Sequence, residues 1–209
     1  MEVNIEKIQE LTSYGHDCLS QGNAISACDS FLQAYEYAQK ITDQYIYRAC
    51  CFNLGACYIA SGEPASGLPY MEEAVPPDDQ DDGLDNFADL WYNMGVARHA
   101  TNNIDQAIEA YKKAHSAYKE LNNRKLEGEC LSKLAVCYHL QDQRDDAVNS
   151  YGLAAKVYGS LNDATNQALS LVSETNVLSE MGDIEKCAKV LVILLDICQD
   201  VPDKGIQGK

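Results

Sequence analysis

The chain reads as an all-α solenoid built from five helical hairpins, and two observations predict it. Anchor residues recur every 40 positions without a gap: Gly15, Gly55, Gly95, Ala135 and Thr175 share one slot, and Ala27, Gly67, Ala107, Ala147 and Cys187 share a second. Phe31, Met71, Tyr111, Tyr151 and Leu191 follow, then Ala34, Ala74, Ala114, Ala154 and Leu194. A fixed period of this length marks stacked helical units, each burying its apolar side against the next. Within a copy the apolar residues fall at helical spacing, as in Ile104, Ala107, Ile108, Tyr111, Ala114, Tyr118 and Leu121. One repeat domain over 1–201 follows, with copies at about 8–47, 48–87, 88–127, 128–167 and 168–201, and a disordered tail over 202–209.

The first copy turns at Gly22-Asn23, where Asn23 suits a helix cap. Its glycine anchor, and those of the next two copies, cost roughly 1 kcal/mol each in mid-helix against alanine. Close approach of the partner helix is the reason expected. In the second copy Pro64 fits a first helical turn, and Pro76-Pro77 stops the helix early. An acidic loop follows, Asp78-Asp79-Gln80-Asp81-Asp82-Gly83, where other copies continue as helix. It echoes a calcium loop, but Asp89 stands where glutamate is usual and Asp85 where an apolar residue is usual, so an exposed acidic loop is the reading. The first, third and fourth second helices run long, to Ile41-Thr42-Asp43, Leu121-Asn122-Asn123 and Leu161-Asn162-Asp163, residues that suit helix ends. The fifth copy carries Glu174-Thr175 at its anchor and an unusually apolar run, Val190 to Leu195. Repeat arrays ordinarily end in a polar cap. The bare apolar helix therefore points to a covering partner, to self-association as a homodimer, or to an N-terminal fragment of a longer array.

The residues carry a family resemblance. The succession Cys51, Leu54-Gly55, Tyr58, Gly62, Gly67, Met71 and Ala74 resembles the tetratricopeptide repeat pattern. It returns as Trp91, Met94-Gly95, Asn102, Ala107, Tyr111 and Ala114, with Arg98 in place of the tyrosine, and as Leu134-Ala135, Tyr138, Ala147, Tyr151 and Ala154. The 40-residue period exceeds the usual 34 and is similar to the long-repeat branch of the family. The resemblance covers about residues 8–201. It implies a right-handed superhelix with a concave groove lined by the first helices. It implies no one activity, because the fold serves many unrelated partners.

Charge and composition exclude several classes. The net charge of −16 opposes a nucleic-acid backbone and an anionic membrane surface, and favours basic partners. No apolar run approaches the ~20 residues of a spanning helix, and Met1 to Glu6 lacks a signal-peptide pattern. The nine cysteines sit inside helical patterns without CxxC spacing, so they read as core hydrophobes in a reducing, cytoplasmic setting. No P-loop, GxGxxG, HExxH or GxSxG occurs, so no enzyme, cofactor or metal site is expected. The histidines are scattered; His99 and His139 share a slot and suggest a common surface.

The expected function is a non-enzymatic scaffold that takes a partner peptide or segment along the groove. The repeat places Ser13, Asn53, Asn93, Lys133 and Ser173 in one slot, and Phe52, Tyr92 and Ser132 in the slot before. Ala56, Val96 and Val136 lie three residues on, with His16 and Asn176 at the two ends. Asparagine both donates and accepts, so a ladder of amides can pair with an extended backbone, while Phe52 and Tyr92 supply apolar area. The candidate groove is therefore His16, Phe52, Asn53, Tyr92, Asn93, Val96, Lys133, Val136 and Asn176. The basic residues with which chaperone-binding members of the family grip a terminal carboxylate are missing, and Asp89 would repel one.

Overall fold

A computed structural model describes residues 2–77 and 87–200. The described residues form ten α-helices in five pairs: α1 (Glu2–Ser20), α2 (Ala24–Ala38), α3 (Gln44–Ala60), α4 (Pro64–Ala74), α5 (Phe87–Ala100), α6 (Ile104–Glu120), α7 (Arg124–Leu140), α8 (Arg144–Ser160), α9 (Ala164–Met181) and α10 (Ile184–Asp200). The acidic stretch Asp78 to Asp82 and the tail 202–209 lie outside the described residues. Two compact units divide the chain, residues 1–110 and 111–209, and the division falls within α6.

The turns repeat as faithfully as the anchors. Gly22, Gly62, Asn102, Asp142 and Gly182 all take positive φ, one per hairpin and 40 residues apart. Asn122 and Asn162 do the same between hairpins. Glycine reaches this region freely, and Asn and Asp reach it at lower cost than other residues, so the turn chemistry matches the backbone it must adopt. Asn23 caps α2 by accepting from the Ser26 N–H, and Asp43, Asn123 and Asp163 cap α3, α7 and α9. Pro64 occupies the first turn of α4, which ends at Ala74 before an extended Val75.

In unit 1 the core runs between successive hairpins. Phe31, Leu54, Cys57, Ala27 and Cys18 form one cluster, and Cys51, Met71, Leu90 and Met94 another. The anchor glycines have the expected steric reason, with one difference of partner. A Cβ on Gly15 would stand 2.6 Å from the Phe31 ring, so that glycine admits an aromatic ring rather than a backbone. Gly55 and Gly67 admit each other's backbone. In unit 2, Tyr151 packs with Ala135, Ala147 and Val177, and Ala155 with Leu171, Leu178 and Val190.

The cysteines correct one expectation. Cys18, Cys50, Cys51, Cys130 and Cys137 are free and buried, as a small hydrophobe should be. Cys28 and Cys57 instead pair as a disulfide joining α2 to α3, with their Cα atoms 5.7 Å apart. No CxxC spacing could have signalled it; the two residues meet because consecutive hairpins stack.

Candidate functional site

In unit 1 the groove candidates stand on three first helices. His16 on α1 is exposed and meets the Phe31 ring edge-on at 5.2 Å. On α3, Phe52 and Asn53 are half-buried, and Phe52 rests on the Cys51–Met71–Met94 cluster. On α5, which packs against α3, Tyr92, Asn93 and Val96 are half-buried as well. Asn93 Nδ2 donates to the Asp89 carbonyl one turn back at 2.9 Å. One amide donor is thus committed to its own helix, and the Oδ1 acceptor is the more available half of that side chain.

In unit 2 the same face opens into a cleft of about 430 Å³ lined by His139 on α7, Tyr151 on α8, and Ser173, Asn176, Ser179 and Glu180 on α9. His139 Nε2 and Glu180 Oε2 meet at 2.8 Å and tie α7 to α9 across the cleft. Burial pushes the Tyr151 phenol above its ordinary value, against a smaller opposing hydrogen bond from Ser173, so it acts as a neutral hydrogen-bonding group. Asn176 lines this cleft. Lys133 is exposed on α7 outside it, and Val136 packs into the Ala135–Tyr151–Val177 cluster, half-buried.

His139 and Ser173 were visible as surface positions in the repeat slots and Tyr151 only as a packing anchor, whereas Ser179 and Glu180 were not visible. Tyr151 reads as a core anchor, and Glu180 occupies the slot of Leu140, so no repeated signal marks it. Among the described residues no three His, Cys, Asp or Glu side chains gather to hold a metal ion. No described helix is long and apolar enough to cross a membrane.

Residues 86–160 match the family model of the tetratricopeptide repeat. That segment carries the family's sequence pattern, and helical hairpins lie on both sides of it. Solved structures agree on the fold. The MamA protein is one similar structure, at 17% identity over 98% of each chain and a TM-score of 0.73. A set of nearly identical TPR-like repeats from Podosopora anserina is similar at 12% identity over 93% of this chain and 96% of that one, with a TM-score of 0.71. Aspartyl phosphate phosphatase F from Bacillus subtilis is similar at 16% identity with a TM-score of 0.69 over 97% of this chain. The chain spans about half the length of that phosphatase, 53%.

Proposed function

We propose that the chain is a non-enzymatic protein–protein interaction scaffold that holds a segment of a partner against its first-helix face. The observation that carries this reading is the unit 2 cleft, where His139, Ser173, Asn176 and Ser179 converge with donors and acceptors suited to an extended backbone. Phe52, Asn53, Tyr92, Asn93 and Val96 present the corresponding face in unit 1, and Lys133 and Val136 flank the cleft's helix in unit 2. The partner is read as a protein segment, with basic segments favoured by the net charge of −16. A cytoplasmic location fits the seven free cysteines, while the Cys28–Cys57 disulfide runs against it.

The test is partner capture with the native chain, with Asn176→Ala, and with an Asn53→Ala, Asn93→Ala double variant. A protein held by the native bait and lost on either variant supports the reading. The same set of proteins on all three baits removes it.

A second reading rests on the repeat itself. Tyr151 and Ala155 on α8 are 7% and 3% exposed beneath α9; their counterparts one repeat on, Leu191 and Leu195 on α10, are 40% and 59% exposed. A face that the array buries elsewhere is left open here, and pairing of two copies through it would cover both. Light scattering of the native chain and Leu195→Glu tests this: a dimer that the variant dissociates supports it, and a native monomer dismisses it.

A further inference from the structure

Unit 1 holds nearly all of the chain's charge imbalance. Residues 1–110 contain 18 acidic and 4 basic side chains, net −14, whereas residues 111–209 contain 14 and 12, net −2. Of its four cations, Lys7 pairs with Glu10 at 2.9 Å, Arg98 lies 3.6 Å from Glu72, Arg48 is buried, and Lys40 stands 5.0 Å from the Tyr37 ring.

Within that field one carboxylate is built in differently from the others. Glu73 on α4 is exposed as a residue, yet its Oε2 is held from two other helices. Tyr47 Oη on α3 donates to it at 2.6 Å and Tyr35 Oη on α2 at 3.1 Å, with Cys51 Sγ at 3.8 Å beneath. Two phenol donors on one oxygen fix the carboxylate's orientation before any ligand arrives. Burial first, and the bond to Glu73 second, push the Tyr47 phenol well above its ordinary value, so it remains a donor through the working pH range.

An aromatic frame continues beside the carboxylate. Tyr35 and Tyr47 lie 5.7 Å apart, Tyr70 stands edge-on to Tyr35 at 5.2 Å, and Tyr58 stacks on Tyr70 at 5.8 Å. All four rings are half-buried, so each keeps some surface in solvent. A fixed carboxylate next to π surface, in a strongly negative unit, complements a planar cation better than a point charge. A guanidinium stacks on aromatic faces while its N–H groups donate to the carboxylate, whereas an ammonium offers charge without the matching plane.

We propose that Glu73, framed by Tyr35, Tyr47 and Tyr70, is a docking site for an arginine side chain of a basic partner segment. The site uses none of the groove residues and stands apart from the groove reading.

The test is fluorescence polarisation with a labelled Gly-Ser peptide carrying three arginines, and with the same peptide carrying lysine or citrulline at those positions. The native chain, Glu73→Gln, Glu72→Gln and the Asn53→Ala, Asn93→Ala variant are titrated in parallel. Glutamine keeps an acceptor for the two phenols, so a purely structural role for Glu73 survives that change while an arginine site does not. The expected result is a loss of about tenfold or more for the arginine peptide with Glu73→Gln, and under about threefold with Glu72→Gln, which removes the same charge next door. Lysine peptides should bind severalfold weaker than arginine peptides, citrulline peptides weaker still, and the groove variant like the native chain. Should Glu73→Gln lower the melting temperature, Tyr70→Leu removes a ring and leaves the carboxylate, with a severalfold loss expected. Equal losses with Glu73→Gln and Glu72→Gln would reduce the effect to a diffuse acidic field and overturn the site. Failure of the native chain to bind the arginine peptide would overturn it as well.

Discussion

Gly67 faces Gly55 so closely that a Cβ on Gly67 would stand 2.6 Å from the Gly55 carbonyl oxygen, and a Cβ on Gly55 would stand 2.9 Å from the Gly67 carbonyl oxygen. The obstacle is backbone on both sides, which cannot swing aside as a side chain can. Gly67→Ala should therefore push α3 and α4 apart despite alanine's better helix propensity, at a cost of about 1–3 kcal/mol. Denaturant unfolding measures it; a variant as stable as the native chain would mean that the helices separate freely.

Glu174 gives a prediction of opposite sign. It occupies the slot that holds Leu54, Met94 and Leu134 in earlier copies, and burial raises its carboxyl above the ordinary range, with Lys156 opposing more weakly. A raised pKa means that the folded state resists ionisation, so stability is gained as pH falls through the folded pKa and is given up above it. Glu174→Leu should remove that penalty and stabilise the chain at neutral pH by about 1 kcal/mol, a rise of about 2–4 °C in melting temperature. The difference between variant and native should shrink at acidic pH.

His115 sets a second pH dependence. It lies on α6 facing Glu127, whose Oε1 is 3.8 Å from His115 Nε2 and whose Oε2 accepts from Arg124 Nη1 at 2.6 Å. Burial lowers the His115 pKa below its ordinary 6.5, outweighing the attraction of Glu127, while Lys119 lowers it further. A depressed histidine pKa means that the unfolded chain binds the proton more readily. Stability contributed by neutral His115 is thus complete above about pH 6.5 and declines as pH falls toward the folded pKa. His115→Gln should flatten this part of the stability profile, read by thermal melts from pH 7.5 to 5.5; a slope unchanged in the variant would assign it elsewhere.

The Cys28–Cys57 bond closes a segment of the chain with a sequence separation of 29 residues. On the loop-entropy account, closing a loop of that length stabilises by about 3–4 kcal/mol. Under oxidising conditions Cys57→Ser should lower stability toward that extent, whereas with reductant present the variant and native chain should converge. Peptide mapping without reductant should recover the linked pair.

The repeat was legible because its causes are local and periodic. Small residues at one slot, large ones at the next and left-handed turn residues 40 apart each follow from what one hairpin demands of its own backbone, so α1 to α10 fall where the period places them. The candidate groove was legible only in outline. Slot equivalence identified Asn176 and His139, and located Asn93 without revealing that its Nδ2 is engaged by Asp89.

What the linear order of residues could not express is adjacency between helices. Tyr47, Tyr35 and Glu73 come from three helices and share one oxygen atom; Cys28 meets Cys57 across a hairpin boundary; His139 reaches Glu180 one repeat away. Each meeting depends on crossing geometry and side-chain rotamer, quantities that a period of anchors leaves open. The sequence alone determined a five-hairpin helical array and its strongly acidic first half. Tertiary packing decided which polar side chains converge, because only stacking brings residues of different repeats within hydrogen-bond distance.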